Sequence, residues 1–289
     1  MNSAKTLNIL YRGKLKSCNY SCWYCPFGKK ALSQECLQQD SDDLERFVQW
    51  ATTVTDYSLG IFFIPWGEAF IHSSYQQAMV ALSHAHPIHK VAIQTNLSCP
   101  VNTLQQAQPE RLGLWATYHP TSAQRSSFIR RCYELHERGI SFSVGMVGLR
   151  EHLEEMELLR TELPRDVYLW INAYKHTANY YSEHDLQRIE GIDPLFRYNL
   201  LPHQSKGKLC NTGTTTISVD GDGNVTRCNF VQSPLGNIYK TDIAQILTQE
   251  PCPNATCHCH IGYIYMPHLN LLDTFADGVL ERSYQGYRW

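Results

Sequence analysis

The chain has 289 residues, of which 43% are hydrophobic and 18% charged, and its formal net charge is −2. These values suggest one large domain, or a large and a small one, and exclude a mainly disordered chain. The balanced charge gives no signature of a nucleic-acid-binding protein. The longest apolar runs fall far short of the ~18 residues that span a bilayer, and no signal peptide opens the chain. We therefore expect a cytoplasmic protein without nucleic-acid or membrane partners.

Short apolar runs alternate with amphipathic segments as far as about residue 190, which predicts six successive β–α units. The predicted strands are Leu7–Tyr11, Leu59–Ile64, Lys90–Thr95, Leu112–Tyr118, Ile140–Val147 and Val167–Tyr174. Such a series forms a parallel sheet with right-handed crossovers, so the predicted fold class is α/β, with a partial (β/α)6 barrel of the TIM type. The chemistry of such barrels lies at the carboxyl ends of the strands.

Two helix starts are predicted from residues that commonly cap helices. Ser41, which two aspartates follow, is predicted to cap a helix that runs to Trp50. Ser122 is predicted to cap a later helix that ends at Gly139.

The sequence changes in character near residue 200. Thr214–Val219 and Asn224–Phe230 flank a Gly-rich turn and predict a β-hairpin. Short helices are predicted over Asp242–Gln249 and near Asn270–Leu280, on either side of a cysteine-rich segment. We therefore predict a barrel domain over residues 1–200 and a small cysteine-rich hairpin-plus-helix domain over residues 201–289.

The chain has eleven cysteines, an odd number, and most are closely spaced. Without an export signal, this pattern favours metal or iron–sulfur binding over disulfides. Cys18, Cys22 and Cys25 form C-x3-C-x2-C in the loop after the first predicted strand. Three thiolates on one tight loop suit three irons of a [4Fe–4S] cluster and leave the fourth iron open to a ligand. Structural zinc prefers four protein ligands, so this loop suits zinc less well.

With this cysteine motif after the first strand, the sequence resembles the radical S-adenosylmethionine (SAM) enzymes over about residues 7–190. Tyr24 stands where that family places an aromatic residue near the adenine of SAM. Gly67 and Glu68 stand where the family has Gly-Gly-Glu, which binds the SAM amino group, and Trp66 replaces the first glycine. The resemblance further assigns SAM contacts to the strand-end residues Thr95, Asn96, Thr117, Gly145 and Val147.

The resemblance implies that Cys18, Cys22 and Cys25 hold a [4Fe–4S] cluster whose open iron binds SAM. It implies reductive cleavage of SAM to a 5′-deoxyadenosyl radical, which abstracts a hydrogen atom from a substrate C–H bond for oxidation, bond formation or rearrangement. It also implies a low-potential electron donor of the flavodoxin or ferredoxin type. A glycyl-radical activase is an alternative with the same loop, although its additional clusters usually lie in an insert soon after that loop, and no such insert is visible.

Five further cysteines lie close together in the second half of the chain: Cys210, Cys228, Cys252, Cys257 and Cys259. With the predicted hairpin they resemble the twitch or SPASM extension, which holds auxiliary [4Fe–4S] clusters in some radical SAM enzymes. The resemblance implies one auxiliary cluster on four of the five, with Cys259 preferred to Cys252. A zinc knuckle that adds His258 or His260 to the last three cysteines is the alternative. A non-catalytic iron–sulfur or zinc protein that binds a partner or nucleic acid also remains open.

Polar side chains after the predicted strands are candidates for substrate binding or proton transfer. Tyr118 and His119 follow the fourth strand, and Arg150 follows the fifth, at a helix start where a cation is unfavourable and a ligand role is therefore favoured. Arg12 and Lys175 end the first and sixth strands.

Only 17 residues precede Cys18, which leaves no room for a fused peptide-binding domain. We therefore expect a small-molecule substrate, or a peptide that a separate protein presents.

Overall fold

The computed structural model describes residues 5–284 and 286–289. Its main feature is a nine-stranded sheet with the order β10-β9-β8-β1-β2-β3-β4-β5-β6. The first six strands are β1 (Lys5–Arg12), β2 (Tyr57–Phe63), β3 (Ile88–Thr95), β4 (Leu112–Tyr118), β5 (Ser141–Gly148) and β6 (Leu169–Ala173). Each pairs in parallel with the next. The predicted α/β class and the partial barrel of parallel strands are confirmed.

Six helices accompany these strands: α1 (Gln34–Thr53), α2 (Ser73–His84), α3 (Arg125–Glu137), α4 (Leu153–Glu162), α5 (Glu183–Ile192) and α6 (Phe196–Leu200). The connection between β3 and β4 has no α-helix among its residues, only the 3-10 helices Val101–Leu104 and Pro109–Arg111. Pro100 and Pro109 divide this short connection, and proline is not tolerated inside a helix. The third β–α unit therefore differs from the prediction.

The start of α1 differs from the sequence prediction. Its N-cap is Ser33, whose hydroxyl oxygen accepts a hydrogen bond from the backbone N–H of Cys36. Ser41 lies inside the helix, so its predicted capping role was wrong. The side-chain amide of Gln38 donates to the Asp42 carboxylate one turn later, at 2.7 Å, which explains how an acidic residue is accommodated within the helix.

The start of α3 also differs. This helix begins after Gln124, which makes no capping bond with its side chain. The Ser122 hydroxyl lies 3.4 Å from the Cys22 thiol instead. Gly139 follows the helix with a φ of 67°, the left-handed conformation expected there.

The C-terminal region continues the same sheet. Its strands are β7 (His203–Gln204), β8 (Thr216–Asp220), β9 (Asn224–Cys228), β10 (Val231–Asn237) and β11 (Thr256–Cys257), and its helices are α7 (Ile243–Ile246), α8 (His260–Tyr263) and α9 (Leu271–Phe275). β8 pairs in parallel with β1, and β8, β9 and β10 form antiparallel pairs, as the predicted hairpin requires. β7 and β11 form a separate two-stranded sheet. α7 and α9 are shorter than the helices predicted there.

The two faces of the barrel sheet are covered by different parts of the chain. On one face, residues such as Ile9 and Ile61 pack with the helices in one apolar core. On the opposite face, Trp115 and Trp170 pack with residues of the C-terminal segment such as Phe275. Side chains alternate along a strand, so neighbouring residues enter different cores. No helix in the described part of the chain is long and apolar enough to cross a bilayer.

Candidate metal and cofactor sites

The loop between β1 and α1 carries Cys18, Cys22 and Cys25, all free thiols. The backbone N–H of Cys25 donates to the carbonyl of Cys22, at 3.1 Å. The Lys29 ammonium donates to the same carbonyl, and Gly28, at a φ of 68°, lies against Cys18. These contacts close the loop tightly. Desolvation raises the pKa of Cys18, and the charges of Glu68, Cys25 and Cys22 add to that shift, because these groups lie nearby.

Cys22 lies in a polar surrounding that favours its thiolate. Desolvation opposes ionisation, but hydrogen bonds with His119 and Ser122 outweigh it and lower the pKa of Cys22 to about 6. The Tyr24 hydroxyl lies 3.0 Å from Nδ1 of His119, and the two rings stack. A metal ligand must be deprotonated, so this surrounding fits cluster binding at neutral pH.

Gly67 and Glu68 join the cysteine loop to the ends of β2 and β3. A Cβ on Gly67 would overlap the backbone carbonyl of Ser17, so only glycine fits. The Glu68 N–H donates to that carbonyl, at 2.9 Å. The buried Glu68 carboxylate accepts hydrogen bonds from the Thr95 hydroxyl and the Asn96 N–H. Burial outweighs these bonds and raises the pKa of Glu68 to about 7. Glu68 thereby fixes the end of β3 beside the cysteine loop.

The other residues that the sequence assigned to SAM are Tyr24 on the cysteine loop, Thr117 on β4, and Gly145 and Val147 on β5. Tyr24 and Cys22 form a small apolar cluster with Leu149, against which Val147 packs. The Thr117 hydroxyl has no hydrogen-bond partner among the described residues. Gly145 lies directly under the indole of Trp170, which a Cβ would overlap.

The three candidate catalytic residues are not brought together. His119 lies beside the cysteine loop, between Tyr24 and Tyr20. Tyr118 points into the helix-facing core, where its hydroxyl donates to Glu155 at 2.9 Å. Arg150 is exposed and forms an ion pair with Asp185, at 3.0 Å.

The five C-terminal cysteines line one cavity of about 110 Å³. Burial raises the pKa of Cys228, and so do the charges of Cys210 and Cys252. Burial likewise raises the pKa of Cys257 to about 12, with contributions from Cys228, Cys259 and Cys210. The effects of these thiols on one another's pKa values indicate that they face a common space, which suits a multi-iron cluster.

Cys259 differs from the other four cysteines. It is exposed. Desolvation raises the pKa of its thiol, and the charges of Lys175, Arg12 and Arg282 oppose that shift. Lys175 and Arg12 are strand-end residues that the sequence analysis nominated. It missed Arg282, because no local pattern relates a residue near the C-terminus to the strand ends. It also missed Ser122 as a neighbour of Cys22.

The histidines of the proposed zinc knuckle have other surroundings. The His260 imidazole is buried between Trp115 and Phe275, in the barrel core. His258 lies 2.8 Å from the Thr256 hydroxyl. In the described ranges, no three His, Cys, Asp or Glu side chains are arranged to hold a single metal ion. A cubane binds each thiolate through a separate iron, so its ligands are more widely spaced.

Comparison with known proteins gives two results. Residues 210–262 match SPASM, an iron–sulfur cluster-binding domain. No curated protein is significantly similar in sequence.

Among solved structures, the chain is similar to that of anSMEcpe, an anaerobic sulfatase-maturating radical SAM enzyme, with bound AdoMet, which is SAM. The TM-score is 0.55 and the identity 15%, over 84% of this chain and 80% of that chain. A structure of native anSMEcpe with AdoMet and a Cp18Cys peptide has the same TM-score, with 16% identity over 83% and 80% of the two chains. The chain therefore has the fold of the radical SAM enzymes and carries a C-terminal SPASM-type iron–sulfur cluster-binding domain.

Proposed function

We propose that the chain is a radical SAM enzyme that abstracts a hydrogen atom from a substrate C–H bond. Bound together, a [4Fe–4S] cluster and SAM supply one-electron cleavage of the sulfonium and a 5′-deoxyadenosyl radical. The observation that carries the proposal is the cysteine loop at the carboxyl end of β1, with Cys22 held as a thiolate near neutral pH. Chemistry at this end of the strands is the rule for barrels of this type.

The residues around the loop support a role in binding SAM. Glu68 holds Thr95 and Asn96 at the end of β3, and the Asn96 amide donates to Asn19, next to Cys18, at 2.8 Å. The ring of Tyr24 lies beside the loop with Val147 packed nearby. Together with the free Thr117 hydroxyl, these groups form a polar and aromatic lining that suits the amino-acid and adenine parts of SAM. Gly67 and Gly145 act through packing, since each allows a close approach of its neighbour, the Ser17 carbonyl or the Trp170 indole, at the base of this lining.

His119 is the candidate for proton transfer in this proposal. Its Nδ1 bonds to Tyr24, and its ring is only half-buried. Tyr118 and Arg150 have satisfied partners away from the loop, so they are less suited to touch the substrate.

For the auxiliary cluster we propose Cys210, Cys228, Cys252 and Cys257 as ligands. The charges of Cys210 and Cys252 raise the pKa of Cys228, and those of Cys228 and Cys210 raise the pKa of Cys257. The charge of Cys259 also raises the pKa of Cys257, but the thiol of Cys259 itself is influenced by three cations, Lys175, Arg12 and Arg282, and by no other cysteine. These charge effects, with the exposure of Cys259, support Cys252 over Cys259 as the fourth ligand.

The substrate in this proposal is a peptide or a small molecule. The similarity to a structure of anSMEcpe with a bound peptide supports the first of these. A low-potential donor of the flavodoxin or ferredoxin type supplies the electron. Trp23 and Phe27, which are exposed on the cysteine loop, offer such a donor an apolar contact.

The first test is anaerobic SAM cleavage by the reconstituted and chemically reduced protein, measured as 5′-deoxyadenosine. We expect slow formation without substrate, because the cluster and SAM suffice for the cleavage. Cys18→Ala, Cys22→Ala and Cys25→Ala should each abolish it, whereas Cys36→Ala, which changes an exposed thiol, should not. Cleavage at the wild-type rate by the triple variant would refute the proposal.

The second test distinguishes the auxiliary ligands by iron content. We expect Cys252→Ala to lose about four iron atoms, one cubane, and Cys259→Ala to keep them. Cys210→Ala should still cleave SAM but form no product. Loss of iron in Cys259→Ala with full iron in Cys252→Ala would reverse the assignment.

A further inference from the structure

Arg227 is a buried cation next to a proposed ligand of the auxiliary cluster. It precedes Cys228 on β9 and is 4% exposed. Among the described residues, no carboxylate lies within 4.0 Å of its guanidinium. Buried cations are ordinarily paired with a carboxylate, so the contacts that replace one here indicate what Arg227 holds in place.

The guanidinium of Arg227 binds three backbone carbonyls from two other segments of the chain. Nη1 donates to the carbonyl of Glu250, at 2.6 Å, and to that of Pro251, at 3.0 Å. Nη2 donates to the carbonyl of Thr212, at 3.2 Å. A guanidinium can bind several acceptors at once because its donors point in fixed and different directions.

The three segments joined in this way each carry a proposed ligand of the auxiliary cluster within two residues of the contact. These ligands are Cys210, Cys228 and Cys252. All three line the cavity that the five C-terminal cysteines share. One side chain therefore links the strand and the two loops that present three of the four proposed ligands.

Further hydrogen bonds place Cys210 and Cys252 within their loops. The Thr212 hydroxyl donates to Sγ of Cys210, at 3.2 Å. The Cys252 N–H donates to the carbonyl of Lys208, and the Cys252 carbonyl accepts from the N–H of Gly207, both at 2.9 Å. Arg227 thus fixes the loops relative to β9, and these bonds fix the cysteines within the loops.

The loop after Cys210 comes close to Arg227 because it contains Gly213. This glycine has a φ of 92°, in the region that favours glycine. A Cβ there would lie 2.8 Å from the carbonyl oxygen of Thr248 and 3.3 Å from Cβ of Arg227. A side chain at this position would therefore push the loop away from Arg227.

The fourth proposed ligand is placed by a different element. Cys257 lies on β11, where it is paired with His203 of β7. Cys259 belongs neither to this pairing nor to the segments that Arg227 joins. The backbone contacts therefore agree with Cys252, rather than Cys259, as a ligand.

We propose that Arg227 is a positioning residue for the auxiliary cluster and holds Cys210, Cys228 and Cys252 in the arrangement that the cluster requires. The proposal rests on the function proposed above and adds the residue that organises the ligands. Ligands that are already held in place bind a metal more tightly, and the residues that orient them commonly affect metal affinity 10–100-fold.

The competing explanation is that Arg227 only stabilises the fold, and Arg160 provides the matched control for it. Arg160 is fully buried, and its guanidinium likewise donates to three backbone carbonyls, those of Leu163, Pro164 and Val167. That stretch of the chain contains no cysteine. A substitution of Arg160 therefore reports the loss of such contacts alone.

The test isolates the auxiliary cluster in the reconstituted triple variant Cys18→Ala, Cys22→Ala, Cys25→Ala. We expect this background to hold about four iron atoms and to give the electron paramagnetic resonance spectrum of a reduced cubane. Arg227→Lys keeps the charge but loses the planar set of donors, so it should release iron to a chelator about tenfold faster and change the spectrum. Arg160→Lys should lower the unfolding temperature but leave iron release and the spectrum unchanged.

Gly213→Ala tests the same contact without changing Arg227. It should also speed iron release, because it moves the loop that carries Cys210. Gly139→Ala is its control, since Gly139 also has a positive φ but nothing lies near a Cβ there. This pair decides the question if circular dichroism shows that Arg227→Lys does not fold.

Unchanged iron release and an unchanged spectrum in Arg227→Lys would overturn the inference, and so would equal acceleration in Arg160→Lys. Either result, in a background that holds its iron, would refute only the positioning role. A background that binds no iron would refute the auxiliary cluster itself, and the inference with it.

Discussion

Gly145, within β5, shows what a single hydrogen atom in place of a side chain allows. The indole of Trp170 covers it, so the space for a Cβ is already filled. The sequence placed this glycine in a motif of strand β5, but the reason for it lies in a residue of strand β6. The register of the two strands places Gly145 opposite Trp170.

We predict that Gly145→Ala lowers the free energy of unfolding by about 1–3 kcal/mol, because the Trp170 ring must move in a packed interior. Chemical denaturation measures the change. Gly191→Ala is the matched control, because nothing lies near a Cβ at that helix position. It should leave stability unchanged or raise it by up to about 1 kcal/mol. Equal effects of the two substitutions would contradict this account.

Tyr118 and Thr117 illustrate why candidate residues could be placed on a strand end but not on a face. The two are neighbours on β4, and side chains on a strand alternate between faces. Tyr118 enters the helix-facing core and bonds to Glu155, while Thr117 keeps a free hydroxyl. The sequence predicted the strand and its end, but a difference of one residue decides the face.

At the scale of elements, α1 shows how a cap can be assigned to the wrong serine. Ser33 and Ser41 each precede acidic residues, but only Ser33 lies where the backbone leaves the extended conformation. The helix therefore covers eight more residues at its start than the sequence predicted. Local composition does not distinguish the two serines as helix caps. The turn after the cysteine loop determines which of them caps α1.

Ser33→Ala should destabilise the protein by about 1 kcal/mol, because it removes the acceptor for the Cys36 N–H. Thermal unfolding of the unloaded protein provides the measurement. Ser41→Ala, inside the helix, should change stability by less than about 0.5 kcal/mol. A larger loss for Ser41→Ala than for Ser33→Ala would restore the sequence-based assignment.

At the scale of the whole molecule, the C-terminal segment holds the starts of three barrel strands together. The Glu281 side chain is fully buried and pairs with Lys90 of β3, at 3.0 Å. It also accepts from the Ser141 hydroxyl at the start of β5, and its Cβ lies against Gly113 of β4. Glu281, near the C-terminus, thus links the starts of three strands that the first 200 residues supply.

We predict that Glu281→Ala costs about 3–5 kcal/mol of unfolding free energy, since it leaves the Lys90 ammonium largely buried without its partner. The double variant Glu281→Ala, Lys90→Met should be less destabilised than Glu281→Ala alone, because the unpaired charge is gone. A double-mutant cycle in denaturant measures this coupling. Strictly additive losses would show that the ion pair contributes nothing.

The sequence by itself determined the parallel strands, the placement of Cys18, Cys22 and Cys25 on one loop, and the hairpin between Cys210 and Cys228. These follow from residues close together in the chain, whose periodicity and spacing carry the information. The tertiary structure alone decided that Ser122 and His119 act on Cys22, that His260 packs in the barrel core, and that Arg282 lies over Trp170. Those contacts join residues far apart in sequence, which only the folding of the barrel and the packing of the C-terminal segment into it bring together.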